Sequence, residues 1–163
     1  MHIKNAEHLF ERQLSLINSV EEQLSKALPR WAEAVDRKAL AKALNRHAEE
    51  TQGQLERLER AAEKIDDLRI KRIKDNAFAA LVEDTDDIIE STEEGPIRDA
   101  ALIGAVRKIE HYEIAAYGTL RVLAKQLGYS KVRDLLKETL VEEKATDEKL
   151  TELLKKKIKP VAD

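Results

Sequence analysis

Four long amphipathic stretches of this chain each place acidic residues where an apolar stripe would normally continue. In the first, Ile17, Glu21, Leu24 and Leu28 advance by three or four residues, so Glu21 falls on the inward face of a helix. The second reads Leu40, Leu44, His47, Glu50, Gln54, Leu58, Ala61 and Ile65 in the same rhythm. The third runs Ile103, Val106, Glu110, Glu113, Tyr117, Leu120, and the fourth sets Glu143 and Asp147 between Leu140 and Leu150. Packing these stripes together drives the anomalous side chains, each near the middle of its helix, toward one buried centre. An isolated ionised carboxylate in a low-dielectric core costs several kcal/mol even after relaxation. Such a centre therefore requires its charges to be paired or to bind metal.

The connections say how the helices are arranged. Apolar periodicity predicts helices from about Ala6 to Val35, Arg37 to Asp67, Ala77 to Glu90, Ile97 to Leu127 and Lys131 to Lys157. Asn5, Asp36 and Ser130 are the expected N-caps, and Gly128 is the expected stop of the fourth helix. Pro29 lies inside the first run and predicts a bend or break near Ala27. The basic stretch Arg69–Asp75 reads as a loop, and Gly95-Pro96 as a firm boundary. With 5 glycines and 3 prolines in 163 residues, turn residues are too few to punctuate many strands. The four main helices would each span ~40 Å at 1.5 Å per residue. Two connections are tight, and the one between the second and third main helices is long enough to cross the whole bundle. The expected fold is all-α: a single domain over residues 1–163, a ferritin-like four-helix bundle with a long crossover carrying a short fifth helix.

Charge and apolar content exclude several classes. Net charge is -3, and Lys and Arg are interleaved with Asp and Glu, so neither a nucleic-acid footprint nor a basic membrane patch stands out. No apolar run approaches ~18 residues and the N-terminal stretch has no signal-peptide character. Cysteine is absent, which removes disulfides and thiolate metal sites. A cytoplasmic protein is the default expectation.

The candidate metal ligands are Glu21, His47, Glu50, Glu110, Glu113, Glu143 and Asp147. Carboxylate and imidazole donors suit iron and manganese, and zinc accepts them too. Two such ions, iron first and manganese or zinc as alternatives, would neutralise the centre. Glu110-x-x-Glu113 puts two carboxylates one turn apart, so one helix contributes twice. Taken singly, each residue also has a simpler reading. His47 and Glu50, three apart, read equally as a hydrogen-bonded pair, Gln54 as a polar contact and Tyr117 as a core tyrosine with a satisfied hydroxyl. Arg107 and Arg121, which could neutralise the cluster instead, fall off the inward stripe of their helix.

Several segments resemble the YciE/YciF family of ferritin-like bacterial stress proteins. They are Ser19-Val-Glu-Glu-Gln-Leu-Ser-Lys-Ala-Leu-Pro29, His47-Ala-Glu-Glu-Thr-Gln-Gly-Gln-Leu-Glu-Arg57, Val106-Arg-Lys-Ile-Glu-His-Tyr-Glu-Ile-Ala-Ala-Tyr-Gly118, Leu123-Ala-Lys-Gln-Leu-Gly128 and Leu140-Val-Glu-Glu-Lys-Ala-Thr-Asp147. The resemblance covers essentially the whole chain. It implies a ferritin-like bundle, an association with stress responses, and homodimers. Ferritin-like di-metal sites draw one Glu from each of two helices and Glu-x-x-His from the other two. Here Glu50 is followed three residues on by Gly53, Glu143 by Thr146, and His47 precedes its glutamate. Carried over position by position, Glu21, Glu50, Glu110 and Glu143 match the four carboxylates. His47, Glu113 and Asp147 are the candidates to replace the missing histidines.

Two functions follow as expectations. One is a dinuclear iron or manganese protein reacting with oxygen or peroxide. The other is a non-enzymatic stress or structural protein with a metal-free vestigial polar core, acting through association. For the second, Leu102, Ala105, Ile109, Tyr112 and Ala116 form an additional apolar stripe on the third main helix that a partner copy could cover.

Overall fold

The structure is a computed structural model that describes residues 3–156. Five helices account for most of it: α1 (Ala6–Glu33), α2 (Lys38–Ala62), α3 (Asn76–Ser91), α4 (Pro96–Gln126) and α5 (Ser130–Lys155). Lys157, the expected end of the last helix, lies outside the described residues. The described residues contain no strand, and no described helix is long and apolar enough to cross a membrane.

The hairpins α1–α2 and α4–α5 pack side by side, so that α1 neighbours α4 and α2 neighbours α5. Interhelical bonds fix the directions. The buried carboxylate of Asp99, at the start of α4, accepts from the backbone N–H of Asp36 and of Arg37 at 2.9 Å each, beside the end of α1. Arg37, at the start of α2, donates to the carbonyl of Leu153 near the end of α5. Neighbouring main helices are therefore antiparallel, and α2 faces α4 across one diagonal while α1 faces α5 across the other.

The crossover climbs the bundle along α1. The backbone N–H of Lys71 donates to Ser15 Oγ, that of Asp75 to Ser19 Oγ, and Trp31 Nε1 donates to Asp86 at 2.7 Å, so α3 runs parallel to α1. Asp75 caps α3 by accepting from Phe78 N–H and also takes the Tyr112 hydroxyl of α4 at 2.7 Å. Phe78 itself is buried and stacks obliquely on Tyr112. The first half of the second apolar stripe of α4 is thus covered within one chain: Leu102 and Ile109 are fully buried and Ala105 nearly so, with α3 on that side, while Tyr112 and Ala116 are half-buried.

Several local expectations shift for physical reasons. Helix α1 continues without a break through Pro29, which sits on its exposed face. Asp36 is not the cap of α2; Arg37 is the N-cap residue, without a side-chain bond, and the distant Asp99 supplies the acceptors. Tyr129 rather than Ser130 precedes the first turn of α5. Gly128 follows α4 with φ 76°, the left-handed conformation that favours glycine. Asn5 caps α1 as expected, accepting from His8 N–H.

Candidate metal centre

Four helices each deliver a polar side chain to the middle of the core. Glu21 comes from α1, His47 from α2, Glu110 and Glu113 from α4 and Glu143 from α5, all at most 1% exposed. Leucines and isoleucines one turn away on each helix pull those faces inward, and the polar residues follow because their Cα positions are in phase. One donor atom from each of His47, Glu110, Glu113 and Glu143 lies within 4.8 Å of the others. Glu21 closes the other side, its carboxylate accepting from the Tyr117 hydroxyl and facing Glu113.

The centre is under-satisfied. Ten buried side-chain polar atoms among the described residues have no hydrogen-bond partner, and nine of them belong to Glu21, His47, Gln54, Glu110, Glu113 and Glu143. His47 Nε2 lies 2.9 Å from Glu110 Oε1 but without the alignment of a hydrogen bond. Folded proteins satisfy nearly all such groups, so this concentration calls for either shared protons or a cation at the centre.

Burial, and then the neighbouring charge, disfavours ionisation. Glu21 is pushed up to about 8 by burial and by Glu143, and Glu110 to about 8 by burial chiefly, with Glu21 and Asp147 adding to it. Glu113 and Glu143 are raised well above the usual carboxylate range, again by burial first. Tyr117 is likewise raised, through burial and its bond to Glu21. Without a cation, protons must reside here: Glu21 against Glu113 and Glu110 against Glu143 are carboxyl pairs in which one member can donate to the other.

A polar buttress supports Glu143. Gln54 Nε2 donates to Glu143 and, at 3.0 Å, to Glu142 Oε2. Arg57 holds Glu142 with two bonds of 2.9 Å and donates to Thr139 Oγ1 at 2.7 Å. Gln54 stands out in the sequence as a polar residue on the stripe; Arg57 and Glu142 do not, because both lie off it and meet only through the α2–α5 packing.

Glu50 and Asp147 sit at the margin. The buried residues in the middle of α2 are His47, Thr51, Gln54 and Leu58, so the stripe steps by four at this point and Glu50 falls on its flank. Its carboxylate pairs with Arg46 Nε at 2.9 Å and its side chain is 22% exposed. Asp147, 15% exposed, is held by Arg107 Nε at 2.8 Å and lies 3.2 Å from His111 Nε2. Arg107 thus reaches the rim of the cluster from off the stripe by the length of its side chain.

The residues present fit a metal. Glu21, Glu110, Glu113 and Glu143 carry up to four negative charges when ionised, which two divalent ions would balance. The donors are oxygen and imidazole nitrogen, the set that iron, manganese and zinc accept. Each of these residues and His47 has at least one unpartnered donor atom, and Tyr117 and Gln54 bond one oxygen each of Glu21 and Glu143, as outer partners of metal ligands do.

Comparison with known proteins finds full-length relatives. The chain is 52% identical over 153 residues to Protein YciF of Escherichia coli (strain K12), a match covering 94% of this chain and 92% of that protein. The crystal structure of the E. coli stress protein YciF superposes with a TM-score of 0.92 at 51% identity, over 93% of this chain and 96% of that one. YcfI from Rhodopseudomonas palustris, whose name describes it only as a candidate structural protein, superposes with a TM-score of 0.87 at 33% identity, over 99% and 97%. Residues 5–162 match the family described as a domain of unknown function, DUF892. From the family match and the full-length likeness to YciF, the chain belongs to the DUF892 family of YciF-like helical-bundle proteins.

Proposed function

We propose that the protein is a stress-associated bundle whose core holds two divalent transition-metal ions, iron first and manganese or zinc as alternatives, and that it acts on oxygen or peroxide. The observation that carries this reading is the convergence of unpartnered, fully buried donor atoms from Glu21, His47, Glu110, Glu113 and Glu143. Bound iron or manganese would supply the redox couple for reducing a small oxidant. The chain's own contribution is positional: Tyr117 orients Glu21, Gln54 orients Glu143, and the apolar layers above and below exclude bulk water. The likeness to a stress protein supports the setting.

Elemental analysis of protein purified without chelator tests the reading. Two iron, manganese or zinc ions per chain and a melting temperature that falls on chelation are expected. Less than one ion per chain, with melting unchanged by added metal, would sink it. Peroxide consumption by the loaded protein tests the reaction separately.

A second reading has its own support. Carboxyls raised to about 8 stay protonated at neutral pH, and paired carboxyls could then form a metal-free core in a protein that works through association. The descriptive name of YcfI accords with it.

A further inference from the structure

A chain of hydrogen bonds with a single direction runs from the rim of the α2–α5 packing to Glu143. It starts at Arg57, whose side chain is 15% exposed and has all three guanidinium nitrogens engaged. Nη1 donates to Thr139 Oγ1 at 2.7 Å and to Glu142 Oε2 at 2.9 Å, Nη2 donates to Glu142 Oε1 at 2.9 Å, and Nε lies 3.4 Å from Glu138 Oε2. A guanidinium has donors and no acceptor, so both oxygens of Glu142 are held as acceptors. Gln54 meets one of them at 3.0 Å, and of the two ends of its amide only the nitrogen can do so. The second hydrogen of that nitrogen then falls on Glu143 Oε1. The amide gains nothing at its other end, where Gln54 Oε1 is buried without a partner, so its orientation is imposed from the side of Glu142. Glu143 must therefore present a bare Oε1 to Gln54, and its buried, unpartnered Oε2 is the atom left to carry a proton or a cation.

We propose that Arg57 is a positioning residue for the centre: through Glu142 it fixes the direction of the Gln54 amide, and so which oxygen of Glu143 is available to a metal ion. A reversed amide would set its oxygen against Glu143 and favour the protonated acid, whose proton a metal must displace. Arg57 thus strengthens the binding of another cation, because it acts by direction and not by charge. The proposal rests on the metal-binding reading above.

Two measurements test it on the full chain, with circular dichroism confirming that each variant is folded. The first needs no metal. The side-chain amide hydrogens of Gln54, identified in NMR spectra by their loss in Gln54→Leu, should both be protected from exchange in the wild type. Protection should fall by about tenfold or more in Arg57→Met and in Glu142→Ala. Arg57→Lys keeps the charge and loses the two-pronged grip, so it should lose protection too. The second measures zinc affinity by competition with a chelator, zinc having no redox chemistry. Gln54→Leu should weaken binding by about tenfold or more, and Arg57→Met and Glu142→Ala by about three- to tenfold each. In the Gln54→Leu background Arg57→Met should change nothing. Tighter binding in Arg57→Met with weaker binding in Glu142→Ala would show that the two act through their charges and overturn the proposal. Equal effects of Arg57→Met in both backgrounds, or Gln54 protection that no variant alters, would overturn it as well. A wild-type chain that binds no zinc, iron or manganese overturns the metal-binding reading and the effect of Arg57 on affinity with it, while the amide protection separately decides whether Arg57 directs Gln54.

Discussion

The imidazole of His47 on α2 meets the carboxylate of Glu110 on α4 across the diagonal of the bundle, 2.9 Å from Nε2 to Oε1, with neither side chain more than 1% exposed. Three further carboxyls, Glu21, Glu113 and Glu143, surround that pair.

Stability of the metal-free protein should fall as pH rises. Glu21 and Glu110 titrate near 8 in the folded chain, against 4.5 ordinarily, and Glu113 and Glu143 are also raised. Between those values the folded state binds more protons than the unfolded state, so the slope of unfolding free energy with pH is negative. The stabilisation is fully present below about 4.5 and is lost as pH climbs through about 8. Bound metal reverses the trend, because it displaces those protons and binds better at higher pH. Thermal melting at pH 5.5, 7 and 8.5, with chelator and with metal, should show slopes of opposite sign; a metal-free slope that rises with pH would contradict the burial argument.

Glu113→Gln separates a working centre from a protonated core. The amide keeps the shape and removes an ionisable group that burial disfavours. In the metal-free state at pH 8 the variant should be more stable than the wild type, by roughly 1 to 3 kcal/mol, the scale of relieving one unsatisfied buried group. Its metal affinity should drop by about tenfold or more. Differential scanning calorimetry with and without metal reads both, and a loss of stability in the metal-free protein would argue against the electrostatic account.

Asp99 is expected to hold the α1–α2 turn in place. Both oxygens of this buried carboxylate accept backbone N–H groups at 2.9 Å, from Asp36 and Arg37, and no side chain of α2 supplies a cap. Asp99→Ala leaves both donors unsatisfied and should destabilise the fold by roughly 2 to 4 kcal/mol. Asp99→Asn, with one acceptor oxygen instead of two, should fall between. Denaturant midpoints order the three proteins.

The helices were legible in the sequence because their signals are local: a 3.6-residue apolar period, Asn5 at one start, Gly128 at one stop, and the Gly95-Pro96 break. The buried centre was legible for the same reason, since Glu21, His47, Glu110, Glu113 and Glu143 are in phase with leucines on their own helices. What stayed hidden depends on contacts between helices. Asp99 reads as an ordinary first-turn acid until α4 docks beside the end of α1 and places it against Asp36 and Arg37. Glu50 and Thr51 are equally good continuations from His47, by three or by four, and only the packing between helices assigns Thr51 to the core. Arg107 lies off the stripe, yet a side chain of its length reaches Asp147 from there.

Ile109 tests the role of α3. Its stripe on α4, with Leu102 and Ala105, looks in the sequence like a surface for a partner copy, but these residues are buried within one chain, and Tyr112 on the same stripe meets Phe78 and Asp75 of the α3 region. Ile109→Asp would therefore place a carboxylate in a dry site with no partner rather than disturb an exposed face. The expected result is destabilisation of more than roughly 3 kcal/mol, together with faster amide exchange in α3 as that helix loses its seat. Ile109→Ala should act in the same direction through lost burial, at roughly 2 to 5 kcal/mol. Hydrogen exchange monitored by mass spectrometry, alongside solution mass, distinguishes the outcomes: accelerated exchange in α3 supports intrachain cover, whereas unchanged exchange with a change in solution mass would return this stripe to an interface between copies.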